Sequence, residues 1–93
     1  MLKKQFKIIT HTGFAVPATM LVMNTSMAKS RMILEYRDDF IELKNSPKTV
    51  MDIMLLNIRP GDYFNIKADG IDEHEALQSI ANSLSNLGLE CLE

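Results

Sequence analysis

The chain has 93 residues, of which 46% are hydrophobic and 24% are charged, and its net charge is −2. This size suits a single domain, residues 1–93, with one core that buries about 60–65% of the unfolded surface. The weak negative charge and the lack of an apolar run of about 20 residues argue against nucleic-acid binding and a membrane span. A single cysteine, Cys91, excludes an internal disulfide. Together with the lack of a signal-peptide pattern, it favours a cytoplasmic protein.

In the first half of the chain, the hydrophobic pattern predicts a strand, a helix and a hairpin. Residues 3–9 alternate between apolar and polar side chains, which indicates a strand with one wet face. A helix is predicted from Pro17 to Lys29, because the missing N–H of Pro17 would be unbonded in a first turn. Residues 31–44 alternate on both sides of an Arg37-Asp38-Asp39 turn and predict the hairpin.

The second half predicts two more helices and a fourth strand. Thr49 is expected to cap a short helix at about residues 50–56, and a strand follows at 63–68. Asp72 and Glu75 predict a capping box, and Gly88 the C-cap, of the last helix. Residues 91–93 are expected to form a disordered tail or a tag remnant. The order βαββαβα predicts an α+β open-faced β-sandwich, with three helices on one side of a four-stranded antiparallel sheet.

Four segments, in this order and spacing, resemble the family of the histidine-containing phosphocarrier protein, HPr. They are Gly13 with Pro17-Ala18-Thr19, then Leu34-Glu35-Tyr36, then the segment 48–54, and then the segment 68–76. The resemblance covers nearly the whole chain. It implies the HPr fold and a role in the bacterial phosphotransferase system for sugars.

The loop that carries the phosphorylated His in that family differs here. The family pattern is Gly-(Leu/Ile)-His-(Ala/Thr)-Arg-Pro-Ala-Thr, whereas this chain has Gly13-Phe14-Ala15-Val16-Pro17. Phe14 or Ala15 replaces the His, and Val16 replaces the Arg. A phosphocarrier needs a neutral imidazole nitrogen as nucleophile, so this loop predicts no catalytic residue. The remaining candidate is His11, whose position also fits an exposed loop histidine.

Resemblance also implies sites of modification. Thr49 aligns with the serine that HPr kinase phosphorylates in relatives, so regulatory phosphorylation is expected there. Ser46 offers a second hydroxyl, although the Pro47 that follows it departs from the family's kinase site. The two separated histidines and one cysteine form no metal-ligand pattern, and neither a metal nor another cofactor is predicted.

Partner docking in the family uses the outer faces of the first two helices. Methionine is flexible and polarisable, so exposed methionines there would form an adaptable apolar patch, although each of them could instead belong to the core. The residues expected at this patch are Phe14, Val16, Thr19, Met20, Met23, Val50, Met51 and Met54. The partners that the resemblance implies are enzyme I, HPr kinase or a transcriptional regulator.

Three functions stay open at this point. The leading one is a regulatory docking module, similar to the catabolite-repression HPr-like proteins, that is not an enzyme and does not carry phosphate on the usual His. The second is a phosphocarrier that uses the displaced His11 in a phosphoenolpyruvate-dependent relay. The third is a self-associating module, in which the apolar patch forms a homodimer interface or the first strand exchanges between chains.

Overall fold

The computed structural model describes residues 1–9 and 14–92. Within those ranges the chain forms five strands and three helices in the order βαββαβαβ. The strands are β1 (Leu2–Ile8), β2 (Arg31–Tyr36), β3 (Asp39–Glu42), β4 (Tyr63–Asp69) and β5 (Leu89–Cys91), and the helices are α1 (Ala15–Thr25), α2 (Pro47–Leu55) and α3 (Glu73–Asn86). The predicted α+β class is confirmed.

The strands form one antiparallel sheet in the order β3-β2-β4-β1-β5. The predicted hairpin is present, with Tyr36 paired to Asp39 across a two-residue turn. The register of β1 and β4 places Phe6 opposite Phe64, and both rings are buried and stacked at 5.5 Å between centroids. The other face of the sheet is partly exposed, and there the Glu35 carboxylate pairs with Lys67 at 2.8 Å.

The fifth strand corrects the expectation of four strands and includes Cys91, the first residue of the expected tail 91–93, of which Glu93 lies outside the described residues. Cys91 pairs with Phe6 of β1, and the backbone N–H of Leu92 donates to the carbonyl of Gln5 at 2.7 Å. A strand of three residues is too short to show a hydrophobic period in sequence. Its stabilising partner is β1, at the other end of the chain, so its formation depends on long-range pairing.

Helix α1 begins two residues earlier and ends four residues earlier than predicted. Pro17 is therefore its third residue, which is still within the first turn, where backbone N–H groups have no partner inside the helix. At the other end, the side chains of Asn24, Thr25 and Ser26 donate to carbonyls three or four residues back, at 2.7–3.0 Å. Such bonds compete with continuation of the helix.

The caps of the other two helices also differ from the prediction. Ser46 rather than Thr49 is the N-cap of α2, with its hydroxyl accepting the N–H of Lys48 at 3.2 Å and Pro47 as the first helical residue. Asp72 does precede α3, but its carboxylate accepts from the N–H of Lys29 at 2.9 Å and from the Ser30 hydroxyl instead of capping α3. The predicted capping box is therefore wrong.

Helix α3 packs on the sheet, and helix α1 packs against both α2 and α3. The predicted core positions of α3 are confirmed, since Leu77, Ile80, Ala81 and Leu84 are buried, and Gly88 follows the helix with φ of 89° as a C-cap glycine does. This packing leaves one outward face on α1 and one on α2. In the described part of the chain, no helix has the length and apolar character needed to cross a membrane.

Candidate functional site

The N-terminus of α1 is occupied by Phe14. Its carbonyl accepts the N–H of Ala18 at 2.9 Å, which begins the helix. Its ring is only 7% exposed and meets the ring of Phe64 edge-on, with centroids 5.3 Å apart and planes at 86°. Phe14 was expected to enlarge an exposed surface, but the structure places it in the core. The reason is that the edge-to-face contact and the burial of apolar area both favour the inward position.

The remaining residues of this turn offer no nucleophilic nitrogen. Pro17 is buried, Ala15 and Val16 are exposed, and the Thr19 hydroxyl donates to the carbonyl of Ala15 at 3.0 Å. His11 and Gly13, which the sequence singled out, lie outside the described residues. Within residues 14–19 the chain therefore presents a helix start and an apolar surface, without an imidazole nitrogen to accept a phosphoryl group.

The outward face of α1 is apolar. Val16, Met20 and Met23 are spaced four and three residues apart and share this face, opposite the buried Ala18 and Leu21. Val16 is 60% exposed, Met23 is 58% exposed and Met20 is partly exposed. No residue from 14 to 28 is charged. A helix that exposes methionine and valine without any charge differs from the usual polar outer face of a surface helix.

The outward face of helix α2 is also apolar. Met51 and Met54 are 65% and 50% exposed, whereas Ile53 is fully buried and Val50 packs partly against the core. Leu55, which is 81% exposed, was missed as a surface residue. The signal was present in the sequence, since Leu55 lies one turn after Met51 and therefore on the same side of the helix.

A groove of about 380 Å³ joins the two helices. Thr19 and Met23 line it from α1, and Val50 and Pro47 line it from α2, together with Ser46 and Asn45. The groove brings together residues that the sequence placed on separate helices. We call it, together with the exposed side chains of Val16, Met20, Met23, Met51, Met54 and Leu55, the α1–α2 surface.

The two hydroxyls expected as phosphorylation sites differ in accessibility. Thr49 lies inside α2 and is 6% exposed, whereas Ser46 is half-buried at the N-cap. Ser46 therefore needs less local opening to meet another protein's active site. At a helix N-cap, an added phosphate would also face the positive end of the helix dipole.

The described residues contain no group of three or more His, Cys, Asp or Glu side chains that could hold a metal ion. His74 is exposed in the first turn of α3, and Cys91 is partly buried in β5. Neither residue lies in the lining of the groove between α1 and α2.

Comparison with known proteins gives a family and a set of similar structures. The family model described as "PTS HPr component phosphorylation site" matches residues 2–86. A histidine-containing phosphocarrier protein from Mycoplasma has a TM-score of 0.80 at 26% identity, covering 92% of this chain and 94% of that chain. HPr-C-His from Thermoanaerobacter tengcongensis has a TM-score of 0.74 at 28% identity, and the match covers 88% of this chain and 89% of that chain. The phosphocarrier protein HPr from Bacillus anthracis str. Ames has a TM-score of 0.71 at 26% identity, and the match covers 87% of this chain and 93% of that chain.

Proposed function

Because the chain belongs to the HPr family of phosphocarrier proteins of the phosphotransferase system, we propose that it is a regulatory member that docks a protein partner on the α1–α2 surface. The family assignment made from sequence motifs is confirmed. Members of this family are phosphocarriers rather than enzymes. The partner is a protein of the same system, such as enzyme I, HPr kinase or a transcriptional regulator, and the site of action is the cytoplasm.

The observation that carries this proposal is the uncharged, apolar outer face of α1. Val16 and Met23 expose more than half of their surface there, and Met51 and Leu55 do so on α2. Fully burying one such side chain contributes about 1.5–3 kcal/mol, so a partner that covers several of them gains substantial binding energy. Contiguous apolar side chains of this kind mark interaction sites on soluble proteins.

The geometry at the start of α1 supports docking over the usual phosphoryl transfer. Phe14 at the N-cap is buried against Phe64, and Val16 in the first turn is apolar. A phosphoryl group would need an imidazole nitrogen and nearby donors, which residues 14–17 do not supply. A phosphoryl-transfer assay distinguishes docking from the alternative in which His11 accepts the phosphate.

The docking test measures binding to a panel of purified enzyme I, HPr kinase and an HPr-binding repressor. Met51→Glu places a charge in the α1–α2 surface and should weaken the affinity for at least one partner by about tenfold or more, because the carboxylate loses its hydration in an apolar contact. Ile71→Glu is the matched control, since Ile71 is 88% exposed in the loop before α3 and should leave binding unchanged. No binding by any panel member, or equal losses in both variants, would contradict docking on this surface.

The transfer test incubates the protein with enzyme I and phosphoenolpyruvate and reads the intact mass. We expect no phosphate adduct. An adduct that disappears in His11→Ala would establish the relay alternative instead.

Light scattering over a concentration range tests self-association. A monomer supports docking of a different protein. A dimer that dissociates when Met51→Glu is introduced would assign the α1–α2 surface to a second copy.

A further inference from the structure

A second cavity lies away from the α1–α2 surface, between the end of β2 and the loop that joins α2 to β4. Its volume is about 460 Å³. The residues that line it are Tyr36, Arg37, Leu56, Asn57, Arg59, Pro60 and Asp62. None of them belongs to the α1–α2 surface, so the proposed docking function makes no use of this cavity.

Arg59 is held in place within the cavity and keeps free donors. In the amide orientation that satisfies both groups, the side-chain oxygen of Asn57 accepts from Arg59 Nε at 3.2 Å and from Nη2 at 2.8 Å. A guanidinium has five N–H donors, so three remain for a ligand. This contact orients the guanidinium and leaves part of its donors free.

Arg37 supplies a second guanidinium to the same cavity. It lies 5.1 Å from the ring centroid of Tyr36, a distance at which a cation and an aromatic face attract each other. Within residues 1–9 and 14–92, neither Arg37 nor Arg59 forms a salt bridge with a carboxylate. The neighbouring Asp38 and Asp39 do not line the cavity.

The backbone of the cavity is left-handed at two points. Arg37 has φ of 55° and Asn57 has φ of 57°, and these are the non-glycine residues with positive φ among those described. Asn57 directly follows the C-cap residue Leu56 of α2, where left-handed backbone commonly ends a helix, and Arg37 lies in the two-residue turn between β2 and β3, where it is also common. Both residues line the same cavity, so two turns of ordinary geometry meet there.

Among the described residues, one acidic group lines the cavity, and it is already held by donors. Asp62 Oδ2 accepts the Tyr36 hydroxyl at 2.5 Å and the N–H of Arg59 at 2.9 Å. The Tyr36 hydroxyl is the main reason that the pKa of Asp62 lies below its ordinary value. With one carboxylate and two guanidiniums, the lining keeps one excess positive charge.

We propose that this cavity binds the phosphate group of a small molecule, with the guanidiniums of Arg37 and Arg59 donating to it from two sides. One guanidinium fork is enough for the two oxygens of a carboxylate, whereas a tetrahedral phosphate has oxygens for two separate forks. The volume leaves room for the group that the phosphate is attached to.

The test follows backbone amide signals by two-dimensional NMR while inorganic phosphate is added at constant ionic strength. We expect saturable shifts at Arg37, Asn57 and Arg59, with a dissociation constant in the millimolar range for the bare ion. Arg59→Lys keeps the charge but loses the fork, and the double variant Arg37→Gln with Arg59→Gln removes both. The first should weaken binding and the second should weaken it by about tenfold or more.

Arg31→Gln is the matched control, because Arg31 pairs with Glu42 at 3.1 Å and does not line the cavity, so it should bind phosphate as the wild type does. Unfolding temperatures of all variants check that they are folded. Acetate at the same concentration should give no saturable shift at these amides. Linear shifts, an equal response to acetate, or wild-type binding by the folded double variant would overturn the proposal.

Discussion

Replacing Phe14 by alanine distinguishes a core residue from a docking residue at the start of α1. The ring is 7% exposed and packs edge-on against Phe64. Truncation of buried phenylalanine to alanine costs about 3–5 kcal/mol, and the lower end is appropriate at a helix terminus, where the neighbouring chain can relax. We therefore expect Phe14→Ala to lower the free energy of unfolding by about 3 kcal/mol.

The matched control is Val16→Ala, two residues further along the same turn. Val16 is 60% exposed, so its truncation should change the free energy of unfolding by about 0.5 kcal/mol or less. Urea unfolding measures both variants, and the m-value should not change, since both folded states bury similar surface. In a domain of this size, a loss of about 3 kcal/mol lowers the melting temperature by about 12 °C or more.

Binding provides the second readout for Phe14. Once conditions keep the protein folded, Phe14→Ala should dock its partner as the wild type does, because its ring does not reach the α1–α2 surface. A stability loss below about 1 kcal/mol, combined with weaker docking, would refute the assignment of Phe14 to the core and restore it to the exposed surface.

Two further predictions concern single hydroxyl and carboxylate groups. Ser46→Ala should cost about 1 kcal/mol by removing the N-cap of α2, whereas Thr49→Val should cost less; equal losses in urea unfolding would contradict the cap assignment. The hydroxyl of Tyr36 lowers the pKa of Asp62, so this bond stabilises the fold above the ordinary carboxyl pKa of about 3.9 and fades as pH falls through the lower folded value. The stability difference between wild type and Tyr36→Phe should therefore stay constant from about pH 5 to 8 and shrink in more acidic solution. A difference that does not change with pH would show that the carboxylate is not involved.

The two errors in cap prediction have different causes. Thr49 was a reasonable cap, because it precedes an apolar helical pattern, but Pro47 extends α2 by a turn and transfers that role to Ser46. Asp72 was a reasonable member of a capping box, but the backbone of Lys29, distant in sequence, takes its carboxylate. The first cap is decided locally, because proline favours the first helical position, whereas the second depends on how two distant segments meet.

Helical spacing decided which side chains of the candidate site are exposed, whereas their role in partner binding stays a prediction. Met20, Met23, Met51 and Met54 were placed on the outer faces of two helices, and all four are at least partly exposed. The sequence prediction failed for Phe14, which precedes the helix and has no periodic position. It also missed the cavity of Arg37 and Arg59, because these residues lie in separate loops that only the folded sheet brings together.

By itself, the sequence determined the three helices and four of the five described strands, the family and the apolar character of the first helix. These follow from local spacing, which the backbone translates directly into faces of helices and strands. Only the tertiary structure decided which way Phe14 points, that Leu89–Cys91 adds an edge strand to β1, and that two arginines share one cavity. Each of these depends on contacts between segments far apart in the chain. The free energy of such contacts cannot be read from the local hydrophobic pattern.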